Sequence, residues 1–163
     1  MPRIPSVLLA PLALGLILLV AAPGWSNPTL ETPTFGAPDP NFIAGKKAVD
    51  KEDWKTAIEL LTKAAQRDDF NADIHNLLGF SYRHQGNLDQ AFAHYYRALS
   101  LNPNHRGAHE YIGVAFLMQN ELAKAEEHLA ALKGICGDCE EYDDLKKAIA
   151  SYRMRSANQP AQR

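Results

Sequence analysis

Residues 72–105 read ADIHNLLGFSYRHQGNLDQAFAHYYRALSLNPNH, and this stretch decides the fold. Leu77, Leu78, Phe80 and Tyr82 bring an apolar side chain round about once per helical turn, which predicts a first helix. Gly86 and Asn87 break it. Leu88, Ala91, Phe92, Tyr95 and Leu99 predict a second helix, and Asn102-Pro103 stops it. Gly79 and Ala91 are small enough for the two helices to cross closely, with Tyr82 and Tyr95 filling the space beside the crossing. A helix pair of this size cannot bury its apolar face alone, so the chain should hold neighbours of the same kind.

It does. Gly45, Gly79 and Gly113 are 34 residues apart, as are Ala57, Ala91 and Ala125. Trp54, Leu88 and Leu122 open the second helix of each cycle. Ala44, Leu78 and Ile112 precede the glycines, and Leu61, Tyr95 and Leu129 take packed positions. The repeats are set at 38–71, 72–105 and 106–139.

The middle copy resembles the tetratricopeptide repeat, whose pattern is W-x2-L-G-x2-Y, then A-x3-F, then P, in 34 residues. Leu78-Gly79, Tyr82, Ala91, Tyr95, Ala98 and Pro103 match its spacing. His75 stands for the Trp and Tyr95 for the Phe. The first copy has Ala48 for the Tyr and Asp69 for the Pro. The third has Phe116 for the Tyr, Leu132 for the small Ala and Gly137 for the Pro. Weak outer copies suit the ends of a stack, which meet solvent on one side. The resemblance implies an all-α right-handed superhelix of three helix-turn-helix repeats, closed by a capping helix.

Glu140 to Arg153 is the expected cap, with Tyr142, Leu145, Ile149 and Tyr152 on one face. Residues 154–163 are expected to be a flexible tail. At the other end, Arg3, an uncharged apolar run from Val7 to Ala22 and the small residues Gly24 and Ser26 form a signal-peptide pattern. The run is short for a membrane span and contains Pro11. Cleavage after Ser26 is expected, with a periplasmic or secreted product and no membrane attachment afterwards. Residues 27–37 form a Pro-rich linker.

With 46% hydrophobic and 22% charged residues, the chain suits one soluble domain. Removing residues 1–26 leaves 16 basic and 19 acidic residues, which gives nucleic acid no general attraction. No phosphate-cradling loop, H-E-x-x-H or nucleophile elbow is present, so no catalytic residues and no cofactor are predicted. His75 and His109 are repeat-equivalent, and His94 and His128 share the same spacing. Such residues should form a ladder along the stack, where a metal site needs convergence, so no metal is expected. Cys136-x-x-Cys139 is the sharpest chemical feature. It reads as a structural disulfide of an oxidising compartment. No βαβ pattern surrounds it, and Glu140, Glu141, Asp143 and Asp144 disfavour a thiolate.

The resemblance also implies a peptide groove lined by the first helices: Phe42 and Lys46, then Asn76, Phe80 and Arg83, then Glu110, Tyr111 and Val114. Gly107 and Tyr111 occupy the places where the carboxylate-clamp subtype has a basic pair, so a C-terminal acidic tail is not the expected ligand. The function expected is a non-catalytic exported adaptor for a protein or peptide. Two alternatives stand beside it: a redox or disulfide-handling protein acting through Cys136 and Cys139, and a structural subunit of an envelope complex using the second-helix faces.

Overall fold

The computed structural model describes residues 39–158. Among them are seven α-helices and no strand: α1 (Pro40–Asp50), α2 (Trp54–Arg67), α3 (Ala72–His84), α4 (Leu88–Leu101), α5 (Arg106–Met118), α6 (Leu122–Cys136) and α7 (Glu140–Asn158). The signal-peptide, linker and extreme C-terminal expectations lie outside these residues.

Side-chain caps fix where most helices begin. Asp39 accepts from the amides of Asn41 and Phe42 at 2.7 and 3.2 Å, with Pro40 in the first turn where its missing N–H costs nothing. Asp53, Asn71 and Asn87 cap α2, α3 and α4 in the same way. The Nδ1 of His105 accepts from the Ala108 amide at 3.1 Å and opens α5.

The turn inside each pair is built to one plan. Glu52, Gly86 and Asn120 have φ of 56°, 79° and 62°, and they recur at the sequence period. One residue later, the amides of Asp53, Asn87 and Glu121 each donate to a carbonyl five residues back, at 2.9 Å in all three turns. This wide hydrogen bond around a left-handed residue ends a helix and turns the chain. Gly86 adopts that conformation freely, Asn120 tolerates it, and Glu52 is strained.

Helices pack as consecutive pairs. The first helices also touch one another, α1 on α3 and α3 on α5, whereas α2, α4 and α6 make no contact among themselves. The first helices therefore line the inner side of a curved stack, an all-α superhelix. Two apolar clusters fill it. One joins Ala48, Ala57, Leu61, Ala64, Ile74 and Leu78. The other centres on Tyr95, Ile112, Phe116, Leu132, Leu145 and Ile149, and Tyr82 packs against both.

The glycine seam shows how the pairs close. A Cβ on Gly45 would meet Leu61 of α2 at 2.7 Å, and one on Gly79 would meet the Tyr95 ring of α4 at 2.5 Å. The third seam differs. A Cβ on Gly113 would meet Leu145 of α7 at 2.6 Å. The expected packed residue, Leu129, is only half-buried, while Leu132 is fully buried. Where Ala64 and Ala98 let a second helix lie close, Leu132 drives a full side chain into the core. The seam is then filled by α7, which packs on both α5 and α6.

The cap is also longer than expected. It continues past Arg153 to Asn158, because Met154, Arg155, Ser156 and Ala157 contain no helix breaker before Pro160.

Candidate functional site

The inner face is organised by α3. Phe80 and Arg83 lie one turn apart on it and share a side. The Arg83 guanidinium stands over the Phe80 ring at 5.1 Å and the Tyr111 ring of α5 at 5.9 Å. The two rings are 4.8 Å apart. Trp54 of α2 closes the other flank, 5.7 Å from Phe80 and stacked on His84 at 4.3 Å. Arg83 donates through Nη2 to His84 Nε2 at 3.1 Å. Burial, and next the Arg83 charge, hold the His84 pKa below its usual value, which keeps that nitrogen an acceptor.

Three buried side-chain atoms here have no hydrogen-bond partner among the described residues: Asn76 Oδ1, Arg83 Nε and the Tyr95 hydroxyl. Leaving such an atom unpaired costs roughly 1–3 kcal/mol. Asn76 is 7% exposed and lies against Gly107, whose added Cβ would sit 3.1 Å from Asn76 Nδ2. Tyr95 reaches the site from α4, its ring under Gly79 and 6.3 Å from Tyr111. Burial raises the pKa of its phenol, against a smaller lowering by Arg83. The Glu110 carboxyl is held up at about 7, first by burial and then by Asp144 and Glu141 of α7, with Arg83 opposing.

The structure thus draws Asn76, Phe80, Arg83, Glu110 and Tyr111 into one region. Val114 packs against the C-terminal core. Phe42 and Lys46 form a separate cation–aromatic pair on α1 at 5.7 Å, and Phe42 also packs on the N-terminal core.

A family profile described as tetratricopeptide repeat matches residues 72–105, and a second with the same description matches 95–138. This is a tetratricopeptide repeat protein. Among solved structures, the first tetratricopeptide domain of Spaghetti (RPAP3), bound to the HSP90 peptide SRMEEVD, is 17% identical with a TM-score of 0.64; the match covers 72% of this chain and 91% of that one. The TPR2B domain of yeast Sti1, complexed with pHsp70, is 19% identical with a TM-score of 0.64, over 71% and 94%. The Yersinia enterocolitica type III secretion chaperone SycD, in complex with a peptide of the translocator YopD, is 13% identical with a TM-score of 0.62, over 71% and 92%. A comparison with curated protein sequences returned no match.

Several residues beside this inner-face cluster were not among those expected. Trp54 belongs to a second helix, and its approach to the end of α3 follows from packing between pairs. Glu141 and Asp144 come from the cap. Tyr95 did carry a signal: it stands where the repeat pattern has Phe, so its hydroxyl is one polar atom more than packing needs.

Four of the six histidines pair, one couple inside the second repeat and one inside the third. His75 and His94 bring their Nδ1 atoms to 3.2 Å, and His109 and His128 to 2.9 Å. His75 Nε2 lies 3.1 Å from the Asp69 carbonyl, and His109 Nε2 lies 3.0 Å from that of Pro103. A carbonyl only accepts, so both Nε2 atoms carry hydrogen. In the neutral rings Nδ1 then accepts, from the Nδ1–H of His94 and of His128. Burial, and next the neighbouring histidine, lower the pKa of His94 and His128 to about 4.

The Sγ atoms of Cys136 and Cys139 are 2.02 Å apart, with Cα atoms at 5.7 Å. These two side chains and Glu141 place ligand atoms within 4.8 Å of one another, but a disulfide-bonded pair has no thiolate to offer a metal.

Proposed function

We propose that this protein is an adaptor that seats a protein or peptide segment on its inner face and performs no chemistry of its own. The observation that carries the reading is the convergence of unpaired buried polar atoms on an aromatic wall. The Arg83 guanidinium stands over both rings of the Phe80–Tyr111 pair, the Tyr95 ring lies 6.3 Å from Tyr111, and Arg83 Nε and the Tyr95 hydroxyl are without a hydrogen-bond partner among the described residues. A peptide backbone supplies both donors and acceptors for such a set, and its side chains supply apolar surface for the rings. The peptides bound in the Spaghetti and SycD structures support the same use of the fold.

Export is part of the proposal. Its support is Arg3, the Val7–Ala22 run and the Gly24/Ser26 spacing. Intact mass of the exported protein should correspond to a chain beginning at Asn27; a full-length membrane-bound chain would refute export.

The groove is tested once a partner has been captured by crosslinking in that fraction. Phe80 touches Trp54 and Tyr111 across two repeat boundaries, so its truncation would disturb packing as well as binding. Arg83→Gln is the cleaner variant. It should weaken partner binding about tenfold or more by calorimetry, since a hydrogen bond to a charged group is worth roughly 1.5–3 kcal/mol. Gln90→Ala, on the exposed side of α4, should leave binding unchanged. Normal binding by Arg83→Gln would move the partner to another face.

A further inference from the structure

We propose that the His75–His94 couple is a binding site for a divalent ion of the zinc class, held by the Nδ1 atoms of both rings. The expectation of no metal followed equivalent histidines along the stack, where they do not converge. Across one helix pair they do. The two Nδ1 atoms are 3.2 Å apart, one on α3 and one on α4. Two imidazole nitrogens bound to one tetrahedral ion, each about 2.0–2.1 Å from it, stand about 3.3 Å apart. The ion can therefore take the place of the hydrogen that the two rings share.

Two further features point the same way. His75 is 4% exposed, and its Nε2–H faces the Asp69 carbonyl at 3.1 Å and the Asp69 carboxylate at 3.2 Å. This fixes the tautomer whose Nδ1 lone pair faces His94. A carbonyl or carboxylate behind the ring is the usual support of a metal-binding histidine. The second feature is a cavity of about 410 Å³ beside the couple, lined by both rings with Thr62, Gln66, Asp69 and Tyr82. It gives the ion an entry and leaves room for water. No third histidine, cysteine or acid converges on this point among the described residues, so water completes the shell and the site stays open. His94 Nε2 makes no hydrogen bond to the described residues and is not shut off from solvent. On binding, His94 loses the proton at Nδ1 and takes one at Nε2 from solvent, so the ring stays neutral and no net proton is released. The His109–His128 couple has a carbonyl behind its first ring but no carboxylate paired there among the described residues. It should bind the ion at least about tenfold more weakly.

The probe is Zn²⁺ alone, added near neutral pH to the full chain, free of any tag and stripped with EDTA. Calorimetry should show saturable binding of one ion per chain ahead of any weaker event. His94→Asn should abolish that first event. Asp69→Ala, which removes the carboxylate behind His75 and touches no ion, should weaken it about tenfold. His128→Asn should leave it unchanged. Long-range proton–nitrogen spectra of the unaltered chain supply a readout that does not depend on any variant folding. There His94 should pass from the Nδ1–H to the Nε2–H form as zinc is added, and EDTA should reverse the change. Absence of saturable binding, an unchanged first event in His94→Asn, or its loss in His128→Asn would each overturn the inference. So would spectra in which zinc shifts other histidines and leaves His75 and His94 as they were, since the ion would then sit on surface rings only.

Discussion

The second and third helix pairs share a glycine seam and close it from different places. Gly79 lies beneath Tyr95, on the helix it is paired with; Gly113 lies beneath Leu145, on the cap. One substitution in the pattern separates them. Ala98 lets α4 settle against α3, whereas Leu132 at the matching place fills the core itself. A repeat period therefore conserves the space that must be filled without conserving which helix fills it. It also makes α7 a core element, and it brings the charges of Glu141 and Asp144 to bear on Glu110.

The sharpest test of that difference is a pair of truncations. Leu145→Ala should destabilise the protein by about 3 kcal/mol or more, as expected for a fully buried leucine. Leu129→Ala, half-buried, should cost less than half as much. Urea unfolding of both decides it; equal costs would mean that α6 closes its own seam.

Acid provides a second comparison, because each pair contains a histidine couple. His94 and His128 titrate near 4 when folded and near 6.5 in the unfolded chain. The unfolded chain therefore binds more protons between these values. The stabilisation is complete above pH 6.5 and is lost as pH falls towards 4. With solvent screening allowed for, each ring contributes up to roughly 2 kcal/mol. His94 has the Asp69 carboxylate nearby, itself paired with Arg97, and His128 has no such neighbour. Melting followed from pH 7 to 4 should show a falling Tm that flattens in a His94→Asn/His128→Asn double variant. Glu110 acts in the opposite sense, destabilising as pH rises from about 4.5 to 7, so the scan belongs in a Glu110→Gln background.

Reduction should affect only the third pair. Closing the short Cys136–Cys139 loop is worth at most roughly 2 kcal/mol. Hydrogen exchange after reduction should quicken at the α6–α7 junction and leave α3 and α4 unchanged. Two labelled thiols in freshly isolated protein would contradict a structural bridge. The smallest effect belongs to the first turn. Glu52→Gly should stabilise by about 0.5–1 kcal/mol, since it gives the left-handed position the residue that the second turn already has.

Much of this architecture was legible because it depends on spacing. Trp54, Leu88 and Leu122 open α2, α4 and α6 where the period puts them, and the seam glycines are buried. The meeting of Phe80, Arg83 and Tyr111 on the inner face was legible through the same register. What escaped depends on contacts between unlike elements. The role of Leu132 follows from α7 lying close enough to fill Gly113. The histidine couples each join a first helix to its own second helix, at one spacing in both repeats. Following equivalent positions from repeat to repeat hides that relation.

The seam under Leu145 also sets an order in time. In the first two pairs, the residue that covers the glycine is made one helix after it. In the third, translation must proceed through a further helix before the cover exists. A chain paused with α6 complete can close its first two seams and must leave Gly113 open. The last step of assembly during synthesis is therefore the arrival of α7, and until then Glu110 lacks the acidic neighbours that the cap supplies.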